Sequence, residues 1–371
     1  MTINSRSKIS SIFKKLLAFI LLIILIAFCF IWLKSPGKPQ PISDQEGKKI
    51  DDSISKIESV LLGGIEQYLI IRGADSIKPV LLFLHGGPGS PEFSFLKNPN
   101  LELEKNYTVI YWEQRGAGKS YSSGIPSNTM TLSQLISDTR ELSLFLKKRF
   151  KREKIFLMGH SWGSLLGIMT AHKYPELFHA YIGIGQVSNQ YEAEKVSLEW
   201  VRERAKYFDE EKSQQELGAI SLPNKSATNQ EWLNYLLVER SYVNKYGGGM
   251  TRERFDTWSN TGRLIIDTKE YTIVDKIKFL KGNFYSMEHL WDDQIEINLF
   301  TLIDSLQVPT FFLHGRYDYM TPLVVSKPFI DHLKAPHKLL YIFENSAHSP
   351  FLDEPEKFNS VINSIAIYCS K

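Results

Sequence analysis

From Leu16 to Leu33 the chain reads LLAFILLIILIAFCFIWL, eighteen residues with no charge and no strongly polar side chain. As a helix it would reach about 27 Å, most of a hydrocarbon layer of roughly 30 Å. Trp32 sits at the far edge, where an indole suits the membrane interface. Beyond it the pattern changes. Short apolar runs alternate with stretches whose leucines recur at helical spacing. Ile57–Ile71 predicts a strand pair turning at Gly63-Gly64. Val80–Leu84, Thr108–Trp112, Ile155–Met158, Tyr181–Ile184, Thr310–Leu313 and Leu339–Phe343 predict further strands. Thr131–Phe150, with Thr131 as N-cap, Trp162–Tyr174 and Glu356–Tyr368 predict helices. Such alternation points to an α/β fold with a mostly parallel sheet covered on both faces.

Between Ser188 and Asn298 the strand pattern fades, and aromatic and charged residues dominate. This stretch reads as a helical insert. Rising from the carboxyl edge of a sheet, it would lie over the ligand crevice as a cap. The expected organisation is a tail and anchor (1–34), a linker (35–52), a first core segment (53–187), the cap (188–298) and a second core segment (299–371). Residues 35–49, rich in Pro, Gly and charge, read as a tether.

The N-terminal run has three readings. A cleavable signal peptide would have a shorter apolar stretch and a small-residue cleavage site. Lys34-Ser35-Pro36-Gly37 offers none, and Phe28 stands where a lipoprotein site needs a small residue before Cys29. A buried core helix is the third reading. The one taken is a single-pass anchor, which makes the lipid bilayer a partner. Arg6, Lys8, Lys14 and Lys15 precede the span; Lys34, Lys38, Lys48 and Lys49 follow it. The balance is close, but Lys14 and Lys15 abut the span. The orientation expected is N-terminus inside, folded domain outside.

Composition narrows the classes. With 43% hydrophobic and 12% aromatic residues there is material for a sizeable core. A net charge of +3 gives no footprint for nucleic acid. Cys29 and Cys369 are the two cysteines, and no structural disulfide is expected between them. No His/Cys cluster has metal-ligand spacing, so no metal or cofactor is expected.

Gly159-His160-Ser161-Trp162-Gly163 is G-x-S-x-G, preceded by a predicted strand and followed by a predicted helix. In that context the serine occupies a tight, strained turn and its neighbours two positions away must be small. The N–H of Trp162 would point where an oxyanion forms. His85-Gly86-Gly87-Pro88-Gly89 follows another strand, and the N–H of Gly87 would be the second oxyanion donor. A serine nucleophile needs a base, and the base needs an orienting acid. His348 is the histidine placed just after the last strand, whereas His314 precedes the candidate acid. Asp318 follows the strand TFFL more directly than Asp304 or Asp353 follows any strand. The expected triad is Ser161, Asp318 and His348.

These residues resemble the proline iminopeptidase family of α/β-hydrolases. The matching pieces are HGGPG at 85–89, WEQRGAGKS at 112–120, GHSWGS at 159–164, HGRYD at 314–318 and Ala347-His348. The resemblance implies the α/β-hydrolase fold and an aminopeptidase that forms an acyl-enzyme. The family's usual W-D-Q-R-G is here W-E-Q-R-G, and Glu113 and Arg115 are read as scaffold ion-pair candidates beside the site. The family's cap often carries W-S-x-W-E, whose Glu binds the substrate's amino group. Trp258-Ser259-Asn260 has no such Glu following. Glu192, Glu194, Glu199, Glu203, Glu231 and Glu239 remain as carboxylates for that task. Families of this fold that open epoxides or remove halides use Asp where Ser161 stands. A carboxylesterase or amidase, and a catalytically silent binding protein on the same scaffold, remain open.

Overall fold

The computed structural model describes residues 3–43, 46–97, 102–253 and 257–369. Its centre is an eight-stranded sheet: β1 (Ile54–Leu62), β2 (Ile65–Gly73), β3 (Val80–Leu84), β4 (Thr108–Glu113), β5 (Ile155–His160), β6 (Phe178–Ile184), β7 (Thr310–Gly315) and β8 (Lys338–Phe343). The spatial order is β1-β2-β4-β3-β5-β6-β7-β8. The β1–β2 hairpin turns at Gly63 and Gly64, both at positive φ, as a tight two-residue turn requires. It joins β4 antiparallel, and every pairing from β4 onward is parallel.

Strands β3, β4, β5 and β7 are buried along their whole length, which is why they read as unbroken apolar runs. Their side chains still alternate between two cores. Leu82 and Leu84 join Leu157 and Leu165 on one face; Leu81 and Phe83 join Phe156 and Met158 on the other.

Short helices α2 (Phe93–Leu96) and α3 (Leu103–Asn106) precede β4, and α4 (Leu132–Phe150) precedes β5. The Thr131 hydroxyl caps α4 by accepting from the Gln134 N–H. Helix α5 (Trp162–Lys173) starts immediately after Ser161. Among the described residues, five helices lie between β6 and β7: α6 (Gln190–Tyr207), α7 (Glu211–Ala219), α8 (Asn229–Lys245), α9 (Thr257–Asp267) and α10 (Ile273–Glu296). They have a core of their own, in which Trp232, Tyr235, Leu198, Val201 and Trp291 are buried. Helix α11 (Leu323–His332) follows β7, and α12 (Pro350–Asp353) and α13 (Pro355–Cys369) close the chain. From β3 the chain goes first to β4 on one side and later to β5 on the other. The carboxyl ends of β3 and β5 therefore flank a topological switch point, where α/β sheets hold ligands.

Helix α1 (Ile3–Leu33) stands outside this body. Its apolar part, Phe13–Leu33, has no buried residue. A core helix would be buried, so that reading of the N-terminal run does not hold. The segment read as a tether is less slack than its composition suggests. The Lys276 ammonium donates to the carbonyl of Lys34 (3.0 Å) and the hydroxyl of Ser35 (2.7 Å), and Lys34 pairs with Asp267. Further along, the Arg72 guanidinium donates to the carbonyl of Gln40 (2.6 Å).

Candidate active site

Ser161 has φ 54° and ψ −123°, a conformation L-residues rarely adopt. The packing around it explains the glycines. A Cβ on Gly159 would run into the Gly163 carbonyl, and one on Gly163 into the Leu84 carbonyl. With both positions bare, α5 starts hard against β3 and the serine is lifted onto the sheet's carboxyl edge. The Ser161 N–H donates to the Ile184 carbonyl (2.9 Å) at the end of β6.

The next residue, Gly185, has φ 54°. A Cβ there would lie 3.0 Å from His348 Cε1 and 3.3 Å from Asp318 Oδ2. Ser161, Asp318 and His348 thus converge on one strand end. Asp318 and His348 are buried and in direct contact, with His348 Nδ1 donating to Asp318 Oδ2 over 2.8 Å. The rest of the Asp318 carboxylate is satisfied locally. Its Oδ1 accepts from the N–H groups of Met320 (2.9 Å) and Thr321 (2.8 Å), and Oδ2 from the Thr321 hydroxyl (2.7 Å). Burial opposes the charged form, but the His348 imidazole beside it, with His314 and the Thr321 N–H, holds the pKa down at about 2. Asp318 is therefore ionised at neutral pH and fixes the ring of His348.

The glycine loop lies against the serine. A Cβ on Gly86 would sit 3.1 Å from Ser161 Cβ. Gly87 has φ 113° and is followed by a cis peptide to Pro88. Gln114 ties the motifs together: its amide donates to the His85 carbonyl (3.0 Å), and its oxygen accepts from the Trp162 indole N–H (3.1 Å). His85 donates through Nδ1 to the Gly86 carbonyl (2.9 Å) and accepts at Nε2 from the Gln114 N–H (3.2 Å). Burial lowers its pKa to about 4, so it stays neutral.

Glu113 and Arg115 do not pair with each other. Arg115 forms a bidentate pair with Asp138 on α4 (2.8 and 3.1 Å) and donates to the carbonyls of Leu62 and Gly63. Glu113 instead reaches the insert, accepting from the Tyr271 hydroxyl (2.6 Å). Burial raises its pKa to about 7. A planar guanidinium needs a matching fork, which Asp138 supplies, and the longer Glu side chain spans to Tyr271.

Three further features had no motif to mark them. Glu92, buried, meets His160 Nδ1 at 2.5 Å, and His160 Nε2 donates to the His348 carbonyl (2.9 Å). Burial alone would lower the His160 pKa; the Glu92 charge and hydrogen bond outweigh it and raise it. Second, the insert holds the His348 loop: the His348 N–H donates to the Gly249 carbonyl (3.0 Å). Third, Glu194 and Glu239 are fully buried and share Arg240. Burial, against the pull of Arg240, raises the Glu239 pKa to about 7. Glu194 Oε1 also accepts from Gln190 (2.7 Å), while Glu194 Oε2 is buried with no hydrogen-bond partner. The same Gln190 amide donates to the Met320 carbonyl (3.2 Å), two residues past Asp318. Of the other insert carboxylates, Glu192 and Glu199 are exposed and Glu231 caps α8. The Trp258 side chain lies outside the described residues.

A family model described as the α/β hydrolase fold matches residues 79–355. A probable aminopeptidase of Bacillus subtilis (strain 168), YbaC, is 34% identical over 313 residues, covering 84% of this chain and 96% of its own. A proline iminopeptidase of Lactobacillus crispatus (strain ST1) is 27% identical over 309 residues, covering 80% and 92%. The crystal structure of a proline iminopeptidase from Mycobacterium smegmatis has the same fold, with a TM-score of 0.60 at 18% identity over 85% of this chain and 98% of that one. The chain belongs to the α/β-hydrolase family, and its relatives include proline iminopeptidases.

Proposed function

We propose that this chain is a membrane-anchored serine hydrolase that works through an acyl-enzyme and removes N-terminal residues from peptides. The observation that carries the chemistry is the buried Asp318–His348 pair, 2.8 Å apart, at the strand end where Ser161 is held at φ 54°. His348 Nε2 takes the Ser161 proton as Oγ attacks the substrate carbonyl. The N–H groups of Gly87 and Trp162 hold the oxyanion, and His348 then protonates the leaving amine. Water, deprotonated by His348, releases the acyl group.

Glu194 supports the exopeptidase reading. A substrate ammonium in a covered site needs a carboxylate, since burying it unpaired is costly. Glu194 Oε2 is buried and unpartnered, and its side chain is linked through Gln190 to the Asp318 loop. The esterase or amidase reading needs no such acceptor. Helix α1, with no buried residue in its apolar span, supports the anchor. The orientation expected is the enzyme on the extracytoplasmic side.

The test compares aminoacyl substrates with free and acetylated amino groups. Acetylation should lower kcat/KM at least tenfold, about 1.4 kcal/mol, and Glu194→Gln should erase most of that difference. Equal rates on both substrates would leave the esterase or amidase reading. No labelling of the wild type by a fluorophosphonate would leave the silent scaffold.

A further inference from the structure

Helix α10 has an outer face unlike that of an ordinary surface helix. Val274, Ile277, Leu280 and Phe284 are 61%, 50%, 49% and 43% exposed. Their spacing of three, three and four residues puts them on one stripe, about 15 Å long. The other exposed large apolar residues among those described, outside α1, are scattered over several elements. Isolated exposed apolar side chains need no explanation, but a continuous stripe does.

What covers the stripe follows from where it starts. Lys276, between Val274 and Ile277, bonds the Lys34 carbonyl and the Ser35 hydroxyl, where the apolar span of α1 ends. The Lys34–Asp267 pair and the Lys38 N–H to Lys269 carbonyl bond (3.3 Å) tie the same junction to the end of α9 and the loop before α10. If α1 spans a bilayer, Lys34 lies at its interface, and the first turn of α10 lies there with it. Exposed Lys38 and Lys269 flank the junction and suit anionic headgroups, as does exposed Lys281 further along α10. The acidic neighbour Asp267 is already paired with Lys34 and Arg263.

We propose that the outer face of α10 rests on the lipid surface, as a second membrane contact beside α1. This rests on the reading of α1 as an anchor. The inner face of the same helix lies on the glycine loop. Asn283 donates to the Ser90 hydroxyl (2.6 Å), Ser286 donates to the Gly116 carbonyl (3.2 Å), and a Cβ on Gly89 would run into Ser286. The proposed oxyanion loop is thus separated from lipid by one helix, about 10 Å across.

The experiment uses the full chain with Cys29→Ser and Cys369→Ser, reconstituted in vesicles of phosphatidylcholine and phosphatidylglycerol. An environment-sensitive fluorophore is attached at Ile277→Cys, Phe284→Cys, Leu22→Cys or Val324→Cys. Each labelled protein is accepted only if it melts like the unlabelled parent, and Ile277 and Phe284 stand in for each other. Nitroxides carried on the lipid should quench the probes at Leu22, Ile277 and Phe284 and leave Val324, 68% exposed on α11, unaffected. Quenching at Leu22 with Ile277 and Phe284 behaving like Val324 would overturn the α10 contact and leave the anchor standing. No quenching at Leu22 would remove the anchor and the inference together. Probes at Ile277 and Phe284 shielded from aqueous iodide but not reached by lipid nitroxides would mean that a second copy of the chain covers the stripe, and would also overturn it.

Discussion

Replacing Glu92 with Gln tests the buried pair behind His348. Both ring nitrogens of His160 face acceptors: the Glu92 carboxylate at 2.5 Å and the His348 carbonyl at 2.9 Å. Only the imidazolium donates to both at once. Glu92→Gln keeps the shape and removes the charge. Burial then drives His160 neutral: its Nε2–H keeps the His348 carbonyl, and the new amide turns to donate to Nδ1. Exchanging a bond between charged groups (about 1.5–3 kcal/mol) for a neutral one (about 0.5–1.5 kcal/mol) costs about 1–2 kcal/mol. At roughly 2–4 °C per kcal/mol for a large domain, Tm should fall by about 2–8 °C. The pH dependence gives the sharper readout. The folded pKa of His160 is raised, so the pair's contribution is complete below the unfolded value of about 6.5 and is lost as pH rises through the folded value. The Tm difference between wild type and variant should therefore be largest at pH 6 and below and narrow as pH rises. Because His160 holds the His348 backbone, kcat on an activated acyl ester should fall more than KM changes. A Tm difference that is constant across this range, or absent, would refute a charged His160.

Ser161→Ala should lower turnover by several orders of magnitude and abolish fluorophosphonate labelling while Tm is kept, as measured on an activated ester. Gly185→Ala places a Cβ 3.0 Å from His348 Cε1 at a φ of 54° that costs a non-glycine residue about 1–2 kcal/mol; kcat should drop at least tenfold in a folded protein, and an unchanged kcat would count against His348 as base. Glu113→Asp withdraws the carboxylate from Tyr271 and should destabilise by about 1–3 kcal/mol. Combined with Tyr271→Phe the losses should be non-additive in a thermal-melt cycle. The Asp318 pKa is depressed to about 2, so its stabilising contribution is complete above the unfolded value of about 3.9 and disappears as pH falls through 2. Asp318→Asn should flatten that region of an acid-unfolding curve.

What the sequence determined by itself is what short-range physics dictates. Gly159 is forced by the Gly163 carbonyl within a single turn, and the elbow was legible from G-x-S-x-G and its flanks, although Gly163 itself is forced by the Leu84 carbonyl on β3. Strands buried on both faces announce themselves as apolar runs, and α1 as a longer one. Asp318 and His348 could be chosen because each follows a strand end. Only the tertiary structure decided that β3 lies between β4 and β5, that Arg115 takes Asp138 while Glu113 crosses to Tyr271, and that Glu92 backs His160. It also decided that the supposed tether is pinned by Lys276, 241 residues along the chain from Ser35. These partners are far apart in sequence, and no local spacing encodes them. A buried charge must find a counter-charge wherever packing brings one, and which one that is depends on the whole sheet and the helices laid across it.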